Sequence, residues 1–188
     1  TYTGLTDDRT QAVAVISGIA TKEQYPKLLE IFKNTEFASP YMERYVLQAM
    51  CEMGCTQEAI DRMLKKYKQM IDAPITTLWE MFNLHGGSYN HAWSGGPLII
   101  MSQYVAGISP VKPAFKEFEV KPELCNLKYI KTVVPTVFGS IKLNVNKENG
   151  YKVDITVPKG TKAHLLLPKD YSNYSVDGRR KKLSTNAD

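Results

Sequence analysis

A carboxylate, an imidazole and two indoles fall between positions 79 and 93: Trp79, Glu80, His91 and Trp93. They sit in the segments Thr76-Thr77-Leu78-Trp79-Glu80 and Asn90-His91-Ala92-Trp93-Ser94-Gly95-Gly96, which hold every Trp of the chain in a stretch dense in Gly and Asn. Indole faces stack on the C–H faces of pyranose rings, and a carboxylate can activate water or accept hydrogen bonds from sugar hydroxyls. The residue set is that of a site that binds or cleaves sugars. A helix-to-helix loop carrying two aromatic packing anchors would have the same composition, so the elements around it must decide.

Those elements begin as helices. Thr6 is placed to cap a helix from Asp7 to Ala20, with Val13, Ile16 and Ala20 at helical spacing. Thr21 and Gln24 form a capping-box pair ahead of Tyr25, Leu28, Leu29 and Phe32. Ser39-Pro40 opens a third helix whose apolar positions are Met42, Tyr45, Val46, Ala49, Met50 and Met53, with Gly54 as its stop. Thr56 is expected to cap a fourth, with Ile60, Met63, Leu64, Tyr67, Met70 and Ile71 inward and Asp61, Arg62, Lys65, Lys66 and Lys68 in water. A final helix is predicted from Pro97 to Gly107. The long connection from Asp72 to Gly96 has no helical period. Leu78, Trp79, Met81, Phe82, Tyr89 and Trp93 make it too apolar to be left disordered, and long ordered loops in helical domains are usually functional.

After Gly107 the period shortens to two. Ile141, Leu143 and Val145, then Tyr151, Val153, Ile155 and Val157, alternate with polar residues around an Asn149-Gly150 turn. Further strands are predicted at Phe115 to Val120, Leu127 to Val134, Lys162 to Leu167 and Tyr174 to Val176, the last followed by an Asp177-Gly178 turn. The expected architecture is therefore multi-domain, α and β: helical hairpins over 1–107, then a small antiparallel β-sandwich over 108–188.

Composition narrows the function classes. No apolar run approaches the ~20 residues that span a bilayer, and no secretion signal opens the chain, which starts at Thr1 as a fragment or processed product would. No membrane partner is expected, and the location of the parent protein, whether periplasmic, secreted or cytoplasmic, is left open. The 3 Cys give neither a disulfide framework nor a zinc spacing, and no metal or cofactor is expected. The net charge of +5 is unevenly distributed: residues 108–188 are basic, with 15 Lys and Arg against 8 Asp and Glu, and the part before them is mildly acidic. These Lys alternate with apolar residues, so they read as the wet face of a sheet, and Arg179-Arg180-Lys181-Lys182 as a hairpin arm, rather than as a nucleic-acid surface.

The order of parts resembles the C-terminal portion of the α-L-rhamnosidases of glycoside hydrolase family 78. In that family a Thr-Thr-x-Trp-Glu segment precedes an Asn-His-aromatic segment, and both line the pocket of an (α/α)6 barrel. Val105-Ala106-Gly107-Ile108 is similar to the family's barrel-closing helix end, Pro135 to Ile141 to its P-x-G-x-I segment, and Val157 to Thr161 with Leu167-Pro168 to its late hairpin. The resemblance implies an inverting hydrolysis by two carboxyls about 6.5–9.5 Å apart. It assigns Glu80 as general base, His91 as a sugar-hydroxyl ligand, Trp79 as a pocket wall and Trp93 as a further substrate contact, with His85 and Tyr89 at the rim.

The chain also departs from the family pattern. Met81-Phe82-Asn83 replaces a more polar continuation, and the acidic segment that carries the general acid has no counterpart here. Glu43 lies in an apolar stripe, and Asp7-Asp8 reads as a helix start where carboxylates favour the dipole. Five helices cannot close a twelve-helix barrel. The expectation is a partial (α/α)6 toroid, inactive alone, whose partners are rhamnoside substrates and the missing N-terminal part of the same enzyme. Exposed apolar helix faces offer a surface for homo-oligomers. Other helical-barrel glycosidases, a glycoside phosphorylase, and a non-catalytic carbohydrate-binding or interaction fragment are the competing readings.

Overall fold

The computed structural model describes residues 6–83, 86–167, 173–176 and 179–182. Helix α1 spans Asp8–Ile16, and its cap is Asp7 rather than Thr6: the Asp7 carboxylate accepts the Arg9 amide at 2.8 Å and Arg9 Nε at 2.9 Å. It ends well before Ala20, because Gly18 turns the chain at φ +73°. Its buried face is Ala12 and Val15, while Val13 is exposed. The Thr21–Gln24 capping box forms, with the Thr21 amide on Gln24 Oε1 at 2.9 Å, but it heads a single 3₁₀ turn. Helix α2, Tyr25–Asn34, follows and buries Leu28 and Phe32, with Pro26 in its first turn where no amide is needed.

Helix α3, Pro40–Glu52, is the centre of the helical part, packing against α1, against α4 (Thr56–Asp72) and against α5 (Gly96–Ile100). Ser39 Oγ accepts the Met42 amide as its cap. Helix α4 starts from Cys55 with no side-chain cap, and Thr56 is inside it and buried. Ile60, Met63, Tyr67 and Met70 are buried as the periodicity predicts, whereas Leu64 and Ile71 are exposed. The final helix is shorter than expected: α5 passes into a π turn at Met101–Val105.

The largest correction lies on α4, where Arg62 and Lys66 are buried instead of facing water. Arg62 is the hub of an ionic cluster. Its Nε and Nη2 bond Glu43 at 2.6 and 2.9 Å, its Nη2 bonds Asp8 at 2.7 Å, and its Nη1 donates to the carbonyls of Phe32 and Thr35. Both carboxylates are fully buried. Burial works against the Arg62 charge, yet the hydrogen bonds and charges of Glu43 and Asp8 outweigh it and hold its pKa above the ordinary value. Lys66 goes the other way, its pKa lowered by desolvation; its Nζ lies 3.8 Å from Glu36 and 4.4 Å from the Phe82 ring centroid.

Two three-stranded sheets and one hairpin follow. Strands β1 (Ile108–Pro110), β2 (Glu117–Val120) and β6 (Lys162–Leu165) form one sheet; β3 (Tyr129–Thr136), β4 (Gly139–Asn146) and β5 (Lys152–Thr156) form the other. Ile141, Leu143 and Val145 of β4 are buried and Lys142 and Lys152 are exposed, as the alternation predicts. Pairing is antiparallel except between β2 and β6, which run parallel with Phe118 opposite Ala163. The segment expected as a late hairpin is therefore a crossover: the turn at Pro158–Thr161 carries the chain away from β5 to the other sheet. Strands β7 (Asn173–Val176) and β8 (Arg179–Lys182) pair as a hairpin, so the basic run is a strand; its Asp177-Gly178 turn, like Pro168, lies outside the described residues.

Residues of both sheets share one apolar cluster, which includes Ile108, Phe118, Val120, Ile130, Ile141, Leu143 and Val145, and Ile60 of α4 joins it. Gly107 makes the passage from helix to sheet. At φ +68° its backbone lies so close to Lys121 that an added Cβ would sit 1.9 Å from the Lys121 carbonyl oxygen. Gly107→Ala is expected to cost ~1–2 kcal/mol for the left-handed backbone and ~1–3 kcal/mol more for the forced shift, read as a lower urea midpoint at unchanged slope.

Candidate functional site

Residues 77–80 and 88–91 pair as two arms. The His91 amide donates to the Leu78 carbonyl at 2.9 Å, the Glu80 amide to the Ser88 carbonyl at 2.9 Å, and the Thr77 hydroxyl to the Tyr89 carbonyl. In an extended arm successive side chains point to opposite sides, and this separates Trp79 from Glu80. Trp79 is only 1% exposed and belongs to the helical core, its ring edge-on to Tyr89 at 6.0 Å and its carbonyl accepting the Ser94 hydroxyl. The indole expected as a pocket wall is thus a buried anchor whose faces are covered by protein. Phe82 is a second anchor: its ring meets Tyr67 at 5.1 Å and its carbonyl accepts Gln69 Nε2.

Glu80, on the other side, is partly exposed. Its Oε2 accepts the Ser88 amide at 2.8 Å and lies 3.5 Å from His91 Nδ1; Ser88 Oγ is 2.9 Å from the same nitrogen. The Ser88 amide is the largest influence and holds the Glu80 carboxyl below its ordinary pKa against desolvation, the next largest, with lesser help from His91 and the Ser88 hydroxyl. Gly87 permits this closeness: it is at φ +80°, and an added Cβ would lie 2.9 Å from Glu80 Oε2.

His91 continues into a row of rings. Its imidazole lies against Trp93 with centroids 4.0 Å apart, Trp93 is 5.3 Å from Tyr41, and Tyr41 is 5.7 Å from Tyr45. Trp93 and Tyr41 are 43% and 42% exposed, so this row, which starts at the His91 neighbour of Glu80, is open to solvent. The loop is pressed onto α3 at Gly96, where a Cβ would come within 2.9 Å of Arg44 Cβ. The structure brings together Glu80, His91 and Trp93 of the expected residues and leaves Trp79 out. Tyr89 is exposed at the loop surface; His85 lies outside the described residues.

Sequence reasoning missed Ser88, Tyr41 and Tyr45 as members of this surface. Tyr45 had been assigned to the apolar stripe of α3; the i, i+4 spacing of the two Tyr on one helix was the available signal. Asp8 of α1 and Glu43 of α3 are engaged by Arg62 in the core. Among the described residues no group of three or more His, Cys, Asp or Glu is placed to hold a metal ion, and no helix is long and apolar enough to cross a membrane. The three cysteines are free, and burial pushes the Cys51 thiol up to about 12.

Residues 107–182 match the family model of the bacterial alpha-L-rhamnosidase C-terminal domain. The chain is similar in structure to the GH78 family rhamnosidase of Bacillus sp. GL1, with a TM-score of 0.75 and 23% identity over 88% of this chain and 19% of that one. The alpha-L-rhamnosidase from Dictyoglumus thermophilum matches with a TM-score of 0.77 and 20% identity, covering 88% of this chain and 21% of its own. The Streptomyces avermitilis alpha-L-rhamnosidase complexed with L-rhamnose gives 0.73 and 17%, covering 88% and 18%. The chain thus spans about a fifth of the length of these structures. No curated protein matches its sequence.

Proposed function

We propose, from the match of residues 107–182 to the bacterial alpha-L-rhamnosidase C-terminal domain model, that the protein carrying this chain is a glycoside hydrolase that removes terminal α-L-rhamnose. The observation that supports it is Glu80: an ionised carboxylate on an ordered loop, hydrogen-bonded to Ser88 and set against His91, with the half-exposed Trp93 ring beside it. In this reading residues 1–107 are the closing part of a helical barrel and 108–188 an appended β-domain.

Glu80 takes a proton from a water as the water oxygen bonds to the anomeric carbon. The bond from that carbon to the glycosidic oxygen breaks on the opposite face, and a carboxylic acid from another part of the enzyme protonates the departing oxygen. His91 holds a sugar hydroxyl and Trp93 offers an aromatic face. The products are rhamnose and the free alcohol, with the anomeric configuration inverted and both carboxyls exchanged in protonation state.

The test is an aryl α-L-rhamnoside incubated with the full-length protein and followed by proton NMR. The β-anomer is expected as the first product, before mutarotation. First release of the α-anomer overturns the inverting assignment, and absence of turnover overturns the activity. Turnover that requires phosphate and yields a sugar phosphate identifies a phosphorylase instead. The row Tyr45, Tyr41, Trp93 and His91 favours a second reading, a binding platform without catalysis; it predicts L-rhamnose binding by the 188-residue chain alone.

A further inference from the structure

Ser88 touches both polar members of the site: its amide donates to Glu80 Oε2 at 2.8 Å, and its hydroxyl oxygen lies 2.9 Å from His91 Nδ1. A neutral imidazole has one N–H and one lone pair, so the two ring nitrogens must differ. A lone pair on Nδ1 would stand 3.5 Å from the Glu80 carboxylate oxygen, two electron-rich atoms facing each other. A proton on Nδ1 removes that repulsion, since the positive end of the N–H dipole then points towards the carboxylate. Ser88 Oγ accepts this proton, and its own hydroxyl proton is free to serve the anion.

We infer that the Glu80 carboxylate and Ser88, a positioning residue whose hydroxyl accepts the Nδ1 proton, together fix His91 in the Nδ1–H form, leaving Nε2 as a bare acceptor that selects a ligand hydroxyl able to donate. The ligand class is a sugar with a free hydroxyl at that point. An ether or carbonyl oxygen there meets a lone pair instead of a donor and is rejected. This rests on the reading of Glu80 and His91 as a sugar site, and it adds the polarity of the contact, which neither composition nor the carboxylate alone specifies.

The test is the long-range proton–nitrogen spectrum of the 15N-histidine-labelled chain at about pH 8, above the ordinary imidazole range. With 3 His in the chain, His85→Gln and His164→Gln assign the signals. His91 is expected to show a pyrrole-type Nδ1 and a pyridine-type Nε2. Ser88→Ala should weaken that preference, Ser88→Ala combined with Glu80→Gln should lose it, and Ser88→Thr, which keeps the hydroxyl, should retain it, with thermal unfolding confirming that the variants fold. A wild-type proton on Nε2, two protonated nitrogens, or an unchanged spectrum in the double variant overturns the inference. Because the spectrum reads the tautomer without turnover, its outcome is independent of whether the full-length protein cleaves rhamnosides.

Discussion

Glu80→Gln in the full-length protein lowers kcat on an aryl α-L-rhamnoside by roughly 10²–10⁴-fold, the usual loss for a removed general base, with KM changed far less. The amide keeps the size of the carboxyl and can still accept the Ser88 N–H through its oxygen, so the loop stays in place. What it loses is the capacity to take a proton from water. The wild-type carboxyl is held below its ordinary value, chiefly by the Ser88 amide, and is therefore ionised at neutral pH. As pH falls, the acid limb of kcat/KM should appear only below the ordinary Glu pKa of about 4.3. Full activity in Glu80→Gln, or an acid limb near neutrality, removes the base assignment.

The second large effect is on stability. Arg62→Met takes a guanidinium from between two buried carboxylates and leaves Asp8, Glu43 and the Phe32 and Thr35 carbonyls without their shared donor. Breaking a buried ion pair from one side typically costs ~3–5 kcal/mol, because the remaining charge is uncompensated. A urea titration should show the midpoint falling accordingly. Replacing Asp8 and Glu43 by Leu in the same variant should recover much of the loss, since an apolar triad of similar volume has no stranded charge. An unchanged midpoint in Arg62→Met would show the cluster to be energetically idle.

That cluster also marks where the sequence stops being legible. A helical pattern treats Arg62 and Lys66 as solvent-facing because they are charged, and their partners are invisible from α4: Glu43 lies 19 residues away and Asp8 lies 54 away. The same blindness placed Leu64 and Ile71 inward, because the wheel was centred on the apolar residues alone. Helices with local signals came out well. Ser39-Pro40 and the Thr21–Gln24 box form as their side-chain chemistry requires. Strand alternation located β4 and β5, yet pattern alone cannot tell a neighbour across a turn from one reached by crossover, and it did not show that β6 pairs in parallel with β2. At the candidate site, the residue types singled out Glu80, His91 and Trp93, which the fold brings together. They did not separate Trp79, one position from Glu80 in sequence, because that separation depends on which side of an extended arm faces the core.

The hydrogen bond that fixes Glu80 closes a loop of only 8 residues, and the one that fixes the helices reaches across 54. Short closures are entropically cheap and quick, and long ones wait for the chain to collapse. The Glu80–His91 pair is therefore assembled by its own neighbourhood on the folding path. Substitutions that loosen distant packing can reduce how much protein is folded without altering the chemistry of the molecules that are.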